Sequence, residues 1–500
     1  MHVNNQSDSR LRQLLSLFPY ERLRPIQRAA LDVVARMFES GNRFSILEAP
    51  TGSGKSALAF TAARYASTLD DLGDDEFEPG AYILTPYNNL AAAMASDFGD
   101  QGLAGLKGRK HYDAKSGAGN YNDAKADFFE STEGVTNYAY FLRARQAPKR
   151  QVLILDEGHK LERILLDMAG FRITPGTCSA VGIDGPPKHL TGERIADWLG
   201  TTLLPALRQQ ASRSRESATR RELEDLAERV AKYIDLDDRS QWVAWMDEDA
   251  LNVKPLSVTA EARDLFARAR YVLIQSATIF DFAAFQRVLG ISGSLVFSAP
   301  SDFPLRNRPI IYKPVGDMAS KTINRTIPDL CTEIERIVGS FGRCKGVIHT
   351  CSYHLNQCIA RRLAAKYGCQ RIITHRQDPR DREQAIRRHS ESDGATVLVS
   401  PSLTEGVDLH GDLARFQIVC KVPYPRLDEY TRARSARDST WYRLHTAWAL
   451  VQMVGRAVRS DTDYATTFVL DSQFERFVTS NEGILPAWWR AAIQTERKAA

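Results

Sequence analysis

A glycine-rich segment of the chain has the composition of a phosphate-binding loop. It reads Glu48-Ala-Pro-Thr-Gly-Ser-Gly-Lys-Ser56, between a short apolar run and a run with helical spacing. Its glycines let backbone N–H groups turn inward around a phosphate, and the next helix adds the partial positive charge of its N-terminus. Lys55 would reach the β- and γ-phosphates and the Ser56 hydroxyl would bind Mg²⁺. The predicted ATP-binding residues of this loop are Thr51, Gly52, Ser53, Gly54, Lys55 and Ser56.

Two adjacent acids follow a second apolar run, 152–155, in the segment Asp156-Glu-Gly-His159. A carboxylate at the tip of a buried strand is costly unless it meets a cation. We therefore predict that Asp156 helps to hold Mg²⁺, directly or through water. Glu157 is the candidate base that orients the attacking water. The alternative is that both acids only cap a helix at 160–167, and the nearby phosphate loop weakens that alternative.

A third set of candidates lies near the C-terminus, where 445–458 has the pattern of a helix. Gln452, Arg456 and Arg459 are four and three residues apart, so they would share one helix face. Two guanidinium groups on one face suit a phosphoryl group whose charge spreads over three oxygens. The alternative is an ordinary solvated basic face.

The elements that must position these residues alternate between strands and helices. Such alternation predicts an α/β fold with parallel sheets. Between 161 and 265 the chain is dense in Leu, Ala, Arg and Glu at helical spacing, which predicts a helical insertion. The segment 299–309 is polar and rich in proline, which indicates a linker to a second α/β domain. The strand-like apolar runs are 44–47, 81–85, 152–155, 271–275, 346–349, 370–374, 396–399, 416–420 and 466–470.

Length and composition limit the number of domains and exclude some classes of protein. At roughly 150 residues per domain, a chain of this length suggests about three domains. The net charge of +5 is too small to establish a nucleic-acid partner alone. The sequence has no apolar run long enough to span a membrane, and its polar start has no signal-peptide core. The 7 cysteines are scattered without a C-x-x-C pair, so we expect reduced thiols and a cytoplasmic protein.

Together these motifs resemble those of superfamily 2 helicases, and within them the XPD/DinG branch. The similarity runs in family order from about residue 18 to about residue 475. Gly158 is a departure, because the family has D-E-A-H where this chain has Asp156-Glu-Gly-His159. The other segments that carry the resemblance are Phe18-Pro-Tyr-Glu-Arg-Leu-Arg-Pro-Ile-Gln27, Ile83-Leu-Thr-Pro86, Leu106-Lys-Gly-Arg109, Val135-Thr-Asn-Tyr138, Gln275-Ser-Ala-Thr278, Thr404-Glu-Gly-Val-Asp408 and Gln452-Met-Val-Gly-Arg-Ala-Val-Arg459.

The resemblance implies two RecA-like parallel-sheet domains with a helical, Arch-like insertion in the first. The first domain would comprise 1–160 and 266–300, with a short remnant of the family's cluster insert at 105–137. The insertion would be 161–265, and the second domain 301–500.

The resemblance also implies roles for individual residues. Gln27 would face the adenine, and Gly406 and Asp408 would lie at the ATP. Arg456 and Arg459 would be arginine fingers facing the phosphate loop, a device worth about 10³–10⁵ in rate where NTPases use it. The residues that couple the ATP site to nucleic acid would be His159, Ser276, Thr278 and Glu405. The DNA-binding residues would be Thr85, Lys107, Arg109, Tyr112 and Asn137. From the residues alone, Tyr112, Tyr138 and Tyr140 lie near the basic cluster in the sequence and are candidates for stacking on bases, with the alternative that about half of them belong to the core.

One feature of the branch is absent from this sequence. Relatives usually bind a 4Fe–4S cluster through four cysteines in the insert of the first domain, but the first cysteine here is Cys178. Because thiolates are the required ligands, we predict no iron–sulfur cluster. The later cysteines are irregularly spaced, and we expect them to be small buried hydrophobic residues rather than metal ligands.

The expected function is therefore that of an ATP-dependent DNA helicase. It would move along single-stranded DNA, 5′→3′ by resemblance, and couple hydrolysis of ATP with Mg²⁺ to unwinding of forked duplexes, as a monomer and away from membranes. One alternative is a translocase that remodels R-loops or protein–DNA complexes and unwinds little. Another is a recruited accessory subunit, as among phage or CRISPR-associated DinG-like proteins. The complete set of ATPase residues argues against a purely structural role.

Overall fold

The computed structural model describes residues 3–50, 52–69, 76–108, 112, 120–144, 146–187, 192–300, 303–401, 409, 411–455, 457–458 and 462–495. The strands, in chain order, are β1 (Phe44–Glu48), β2 (Glu78–Thr85), β3 (Ala104–Gly105), β4 (Glu133–Asn137), β5 (Arg150–Leu155), β6 (Phe171–Ile173), β7 (Trp242–Asp247), β8 (Ala250–Pro255), β9 (Ala269–Ser276), β10 (Leu295–Ser298), β11 (Ile310–Gly316), β12 (Gly346–His349), β13 (Ile372–Thr374), β14 (Val397–Ser400), β15 (Phe416–Val419), β16 (Thr466–Asp471) and β17 (Ile493–Thr495).

Helices connect most of these strands. They are α1 (Val3–Ser16), α2 (Pro25–Ser40), α3 (Lys55–Ser67), α4 (Asn88–Phe98), α5 (Tyr121–Glu130), α6 (Tyr138–Arg143), α7 (Leu161–Ala169), α8 (Pro175–Ala180), α9 (Glu193–Trp198), α10 (Leu204–Arg213), α11 (Ser217–Ile234), α12 (Thr259–Phe266), α13 (Phe282–Leu289), α14 (Ile323–Ser340), α15 (Tyr353–Tyr367), α16 (Pro379–Glu391), α17 (Glu429–Arg437), α18 (Ser439–Val454), α19 (Gln473–Ser480) and α20 (Ala487–Arg490). Over the described ranges, none of these helices is long and apolar enough to cross a membrane.

The first domain is built on a parallel sheet with the strand order β10-β1-β9-β5-β2-β4-β3. Strand β9 pairs with β1 on one side and β5 on the other. The loops that follow these three strands therefore meet at the carboxyl edge of the sheet, where open α/β sheets bind their ligands.

Helices cover both faces of this sheet, which explains why its strands are nearly continuous apolar runs. All residues of β5 are buried. On one face Leu31 of α2 and Phe60 of α3 pack against Ile83 and Ile154. On the other, Leu161, Phe285 and Ile274 share a second core.

The insertion, from β6 to β8 with α8 to α11, has a core of its own around Leu199, Leu207, Val230 and Leu251. Besides the predicted helices it contains an antiparallel sheet in the order β6-β8-β7, which the sequence analysis did not predict. A two-residue turn joins β7 to β8, and Glu248 in this turn has a φ of +58°. Short strands around such a turn carry little hydrophobic periodicity, so helical composition dominated the prediction.

The second domain is a further parallel sheet, in the order β13-β14-β12-β15-β16-β11-β17. Residues such as Ile334, Ile348, Val399 and Leu470 form its core. The two parallel-sheet domains confirm the predicted α/β fold class.

The sequence prediction of a helix over 445–458 is wrong at its C-terminal end. Helix α18 stops at Val454, and Gly455 follows as its cap. Glycine disfavours continuation of a helix because its backbone loses the most freedom there. Helix α18 therefore includes Gln452 but ends before Arg456 and Arg459, which lie outside the described residues.

Candidate ATP site at the carboxyl edge of the first sheet

The phosphate loop joins β1 to α3 and depends on two left-handed glycines. Gly52 has a φ of +82° and Gly54 a φ of +86°. Gly54 is the N-cap of α3, and no side chain caps this helix end. The Lys55 ammonium donates to the carbonyls of Ala49 at 3.0 Å and Pro50 at 3.2 Å. The loop is thus closed by its own lysine, with the first turn of α3 directed at the place where a phosphate would bind.

Gln27 lies directly on this loop and is almost fully buried. Its amide nitrogen donates to the Ser53 carbonyl at 3.0 Å, and its Oε1 accepts from the Arg24 backbone N–H at 2.9 Å. A Cβ atom at Gly54 would stand 2.2 Å from the Gln27 Nε2 atom. Arg24, which the sequence analysis did not single out, donates from Nη1 to the Gly52 carbonyl at 2.7 Å. Its only sequence signal is a charged residue immediately before the proline that begins α2.

The two acids lie across from the loop, at the end of β5. Asp156 is buried and accepts a hydrogen bond from Gln275 Nε2 at 2.9 Å. Burial and the neighbouring Glu157 carboxylate raise the pKa of Asp156 to about 6, although Lys55 and Gln275 act in the opposite direction. A buried Asp156 beside the partly exposed Glu157 carboxylate fits a divalent cation. Ser56 is the second residue of α3, directly after Lys55, and its role as a Mg²⁺ ligand stays a prediction.

The turn after β5 holds Glu157 in a strained conformation. Glu157 has a φ of +50°, which is rare for a residue with a side chain and typical of functional sites. The next residue, Gly158, approaches β9 so closely that a Cβ atom would stand 2.2 Å from Ile274 Cγ2. This contact explains why glycine occupies the position where the family has alanine.

A hydrogen-bonded network links this turn to both domains. His159 Nδ1 lies 2.7 Å from Ser276 Oγ and 3.4 Å from a Glu157 carboxylate oxygen. The Gln452 amide nitrogen, from α18 of the second domain, lies 2.6 Å from His159 Nε2 and donates to Thr278 Oγ1 at 3.2 Å. The structure therefore brings four predicted residues, His159, Ser276, Thr278 and Gln452, into one chain of contacts.

Glu48 is a further member of the site that sequence reasoning missed. One carboxylate oxygen accepts from the backbone N–H groups of Ile279 at 2.6 Å and Phe280 at 2.9 Å. The other oxygen accepts from the Ser298 hydroxyl at 2.9 Å. Phe280 has a φ of +66°, so Glu48 holds a strained loop at the end of β9. The available signal was an acid at the end of an otherwise apolar strand.

Several residues predicted to bind DNA have buried side chains. Thr85 is fully buried and its hydroxyl donates to the Tyr87 carbonyl at 3.0 Å. Asn137 accepts from the Tyr140 N–H at 2.8 Å as the N-cap of α6. A contact of Thr85 or Asn137 with DNA would therefore use the main chain. Of the two alternatives for Tyr138, stacking on bases or a place in the core, the structure shows the core, because Tyr138 is fully buried and donates to the Asp156 carbonyl at 2.8 Å.

Tyr112 belongs to a small cluster of tyrosines that are not fully buried. Its hydroxyl accepts from the Lys107 backbone N–H at 3.0 Å, and its ring packs edge-on against Tyr121 at 5.7 Å between centroids. The hydroxyls of Tyr121 and Tyr140 lie 3.1 Å apart. The Tyr112 ring thus has partners within the protein, and a stacking role stays a prediction.

The roles of several predicted residues stay predictions because they lie outside the described residues: Thr51, Arg109, Glu405, Gly406, Asp408, Arg456 and Arg459. A metal-binding group of three or more His, Cys, Asp or Glu side chains is not found in the described part of the chain. The predicted lack of an iron–sulfur cluster continues to rest on the sequence, which has no cysteine before Cys178.

Two family models match the chain at the two sheets. The model described as DEAD/DEAH box helicase matches 24–169, and the helicase C-terminal domain model matches 341–492. The ATP-dependent helicase DinG of Mycobacterium tuberculosis is 28% identical over 316 residues, which are 56% of this chain and 45% of the relative. A probable ATP-dependent helicase of Methanocaldococcus jannaschii is 24% identical over 260 residues, 47% of this chain and 40% of the relative. The matches thus span less than half of each relative.

Solved structures show the same fold. An XPD helicase structure has a TM-score of 0.66 at 14% identity, covering 95% of this chain and 100% of the other. An Xpd protein of S. tokodaii has a TM-score of 0.63 at 13% identity, covering 99% and 100%. The chain thus carries a DEAD/DEAH box helicase domain and a helicase C-terminal domain, with the phosphate loop, the acid pair and the interdomain glutamine in their expected order, and it is similar to the XPD/DinG-like helicases of superfamily 2.

Proposed function

We propose that this protein is an ATP-dependent helicase that moves 5′→3′ along single-stranded DNA and separates duplexes. The observation that supports this most is the contact of Gln452 with both His159 and Thr278. This contact joins the turn at 156–159, called the acid turn here because it carries Asp156 and Glu157, to helix α18 of the second domain. An ATPase that drives domain movement requires such a connection. We also propose the domain limits given above, 1–160 with 266–300, 161–265 and 301–500.

The first domain would bind the triphosphate through the loop after β1. Lys55 would exchange its bonds to the Ala49 and Pro50 carbonyls for phosphate oxygens. Ser56 and Asp156 would hold Mg²⁺, which supplies positive charge to the reacting phosphates when it is bound. A cation at this position would keep Asp156 ionised, against the burial that raises its pKa.

Hydrolysis would depend on Glu157 and on residues from the second domain. Glu157 would orient the attacking water and accept its proton, and its strained backbone supports a functional role for this position. Arg456 and Arg459 would stabilise charge on the transferred group. The hydrogen-bonded network through His159, Ser276 and Thr278 would couple hydrolysis to the position of Gln452 and hence to the second domain.

Single-stranded DNA would be held by the first domain near Lys107, Arg109 and Tyr112. Lysine and arginine neutralise backbone phosphates with release of counterions, and an aromatic ring can stack on a base. Thr85 and Asn137 would add main-chain contacts. We propose that the protein acts as a monomer on single strands and forked duplexes.

The test is unwinding of two labelled duplexes, one with a 5′ single-stranded tail and one with a 3′ tail, with ATP and Mg²⁺. Unwinding from the 5′ tail alone, lost in Lys55→Ala, would support the proposal. Unwinding from the 3′ tail would overturn the polarity. An unchanged activity in Lys55→Ala would overturn the assignment of the ATP site.

A translocase that remodels R-loops or protein–DNA complexes remains the second candidate. The observation in its favour is the insert between β3 and β4, whose described part forms α5, with Phe128 fully buried against Tyr82. Helix α5 thus contributes to the core on the face of the first sheet that Leu161 and Ile274 cover. DNA-stimulated ATP hydrolysis with neither tailed duplex opened, together with removal of a bound protein from DNA, would favour this candidate.

A further inference from the structure

One face of α18 contacts the first domain along most of its length. Trp441, His445, Trp448 and Gln452 are spaced by four, three and four residues, so they lie on the same side of the helix. Gln452 reaches His159 and Thr278, and Trp448 Nε1 donates to the Ile279 carbonyl at 3.3 Å. The two upstream residues contact a residue that has no role in the site described above.

That residue is Glu162, in the first turn of α7 and three positions after His159. Trp441 Nε1 donates to its Oε1 at 3.2 Å, and His445 Nε2 lies 3.3 Å from its Oε2. Arg434 of α17 donates to Oε1 as well. All these partners belong to the second domain, whereas Glu162 lies on α7, whose Leu161 and Leu165 pack in the core of the first sheet.

The environment of Glu162 is unusual for a carboxylate, because only 3% of the residue is exposed. Burial alone would raise the pKa of Glu162, but His445 and Arg434 outweigh it and lower the pKa from its ordinary value. Arg434 is also buried. The ion pair between Glu162 and Arg434 therefore lies inside the domain interface and not at its rim.

Such a pair suits an interface that must open and close. Attraction between buried charges largely offsets the cost of removing them from water, so the pair sets geometry more than it adds net stability. When the domains separate, water would solvate both charges. A small pocket borders the contact, lined by Phe285, Val288, Trp441, Leu444 and Trp448 among others. The hydrogen bonds to Glu162 are directional, so they can set the register of α18 beside this pocket.

We propose that Glu162 is a positioning residue that sets the register of α18 on the segment 156–159. It would hold Gln452 at His159 and so make ATP hydrolysis respond to nucleic acid. This inference rests on the proposed function, and it adds a contact outside the motifs that carry the family resemblance.

The test compares Glu162→Gln with wild type in ATP hydrolysis, with and without single-stranded DNA. Glutamine keeps the shape of the side chain but removes its charge. We expect basal hydrolysis to change little and stimulation by DNA to fall about tenfold, within the usual range of coupling between sites. Asp167→Asn is the matched control. Asp167 is on the same helix as Glu162, but it is exposed and pairs with Lys254 of β8. The stimulation of ATP hydrolysis by DNA in Asp167→Asn should equal that of wild type.

Hydrogen exchange of α18 gives a second readout that needs no nucleic acid. Exchange over 441–452 should be faster in Glu162→Gln and unchanged in Asp167→Asn. If Glu162→Gln does not fold, Trp441→Phe keeps an aromatic ring, removes the indole N–H donor to Glu162 and should show a smaller loss of stimulation.

The outcomes separate this inference from the proposed function. Full stimulation together with normal exchange in folded Glu162→Gln would overturn the role of Glu162. A wild-type protein whose hydrolysis ignores single-stranded DNA would contradict the proposed function instead, and the exchange comparison would still decide whether Glu162 sets the register.

Discussion

At the scale of single residues, strain and close approach concentrate around the phosphate loop and the acid turn. Gly54 has a left-handed backbone in contact with Gln27, and Glu157 has a positive φ beside the closely packed Gly158. Such conformations persist only where the surrounding structure holds them, so they indicate positions whose geometry serves the function of the protein.

Replacement of Gly54 by alanine should weaken ATP binding. A residue with a side chain at a φ of +86° costs about 1–2 kcal/mol, and its methyl group would also displace the Gln27 amide 2.2 Å away. We expect the affinity for a fluorescent ATP analogue to fall by about tenfold or more, equivalent to 1.4 kcal/mol.

Gly293→Ala is the control for Gly54→Ala. Gly293 also has a φ of +86°, but an added Cβ would meet no atom within 4 Å. Both variants should melt at lower temperature, and only Gly54→Ala should lose affinity. Equal affinities would show that the Gln27 contact does not shape the loop.

His389 makes the stability of the second domain depend on pH. It is fully buried, its Nε2 donates to the Leu413 carbonyl at 2.8 Å, and its Nδ1 lies 2.9 Å from Thr396 Oγ1. Burial lowers the pKa of His389 from 6.5 to about 4. The unfolded chain therefore binds the extra proton between these values, and the contribution of His389 is complete above pH 6.5 and lost as the pH falls towards 4.

Urea unfolding between pH 7.5 and 4.5 measures this effect. The free energy of unfolding should fall by up to about 3 kcal/mol across this range, and by less in His389→Gln. His354→Gln, at an exposed position, should keep the wild-type dependence. A pH dependence that is the same in all three proteins would rule out His389 as its source.

At the scale of elements, α17 binds the insertion to the second domain. Tyr430 stacks on Trp245 of β7 with ring centroids 5.6 Å apart and planes inclined by 24°. Its hydroxyl donates to the Pro255 carbonyl at 3.1 Å. Arg426 and Asp247 form an ion pair at 3.3 Å close by. The insertion is therefore held by both domains, and closure of the domains would move it.

Replacement of Trp245 by alanine should release the insertion from α17. Loss of a buried aromatic side chain typically costs about 3–5 kcal/mol. We expect faster cleavage by trypsin after Arg239, three residues before β7, than in wild type. Tyr430→Phe, which keeps the ring and loses one hydrogen bond, should cost only about 1 kcal/mol and leave the cleavage rate nearly unchanged. Slow cleavage in Trp245→Ala would show that other contacts hold the hairpin.

At the scale of the whole molecule, the ATP site of the first domain and α18 of the second are one connected structure. A ligand that binds only the folded protein stabilises it by about 2.7 kcal/mol at a hundred times its dissociation constant. Through Gln452, this stabilisation should reach both domains.

Thermal unfolding with a non-hydrolysable ATP analogue and Mg²⁺ tests this connection. In wild type both sheets should melt at a higher temperature than without ligand. In Gln452→Ala only the first domain should gain stability, so the transitions should separate. Lys55→Ala should show no shift with ligand, and removal of Mg²⁺ should reduce the wild-type shift. A joint shift of both domains in Gln452→Ala would contradict a coupling role for this residue.

The sequence predicted the parts of the site that follow from local pattern. A short apolar run before a glycine-rich or acidic segment specifies a strand and the loop after it, so Lys55 and Asp156 were placed at strand ends. Burial could not be predicted in the same way: Tyr138 stands near a basic cluster in the sequence but faces the core. The end of α18 was also missed, because helical spacing continues past Gly455.

The amino-acid sequence was sufficient to predict the loops at the edge of the first sheet and the family resemblance, since both depend on residue types at short spacing. The order β1-β9-β5, the grip of Glu48 on the loop after β9 and the enclosure of Glu162 by Arg434, Trp441 and His445 came only from the fold. These contacts join residues more than 100 positions apart. The packing of whole sheets and helices decides which of these residues meet. Periodicity along the chain does not contain that information.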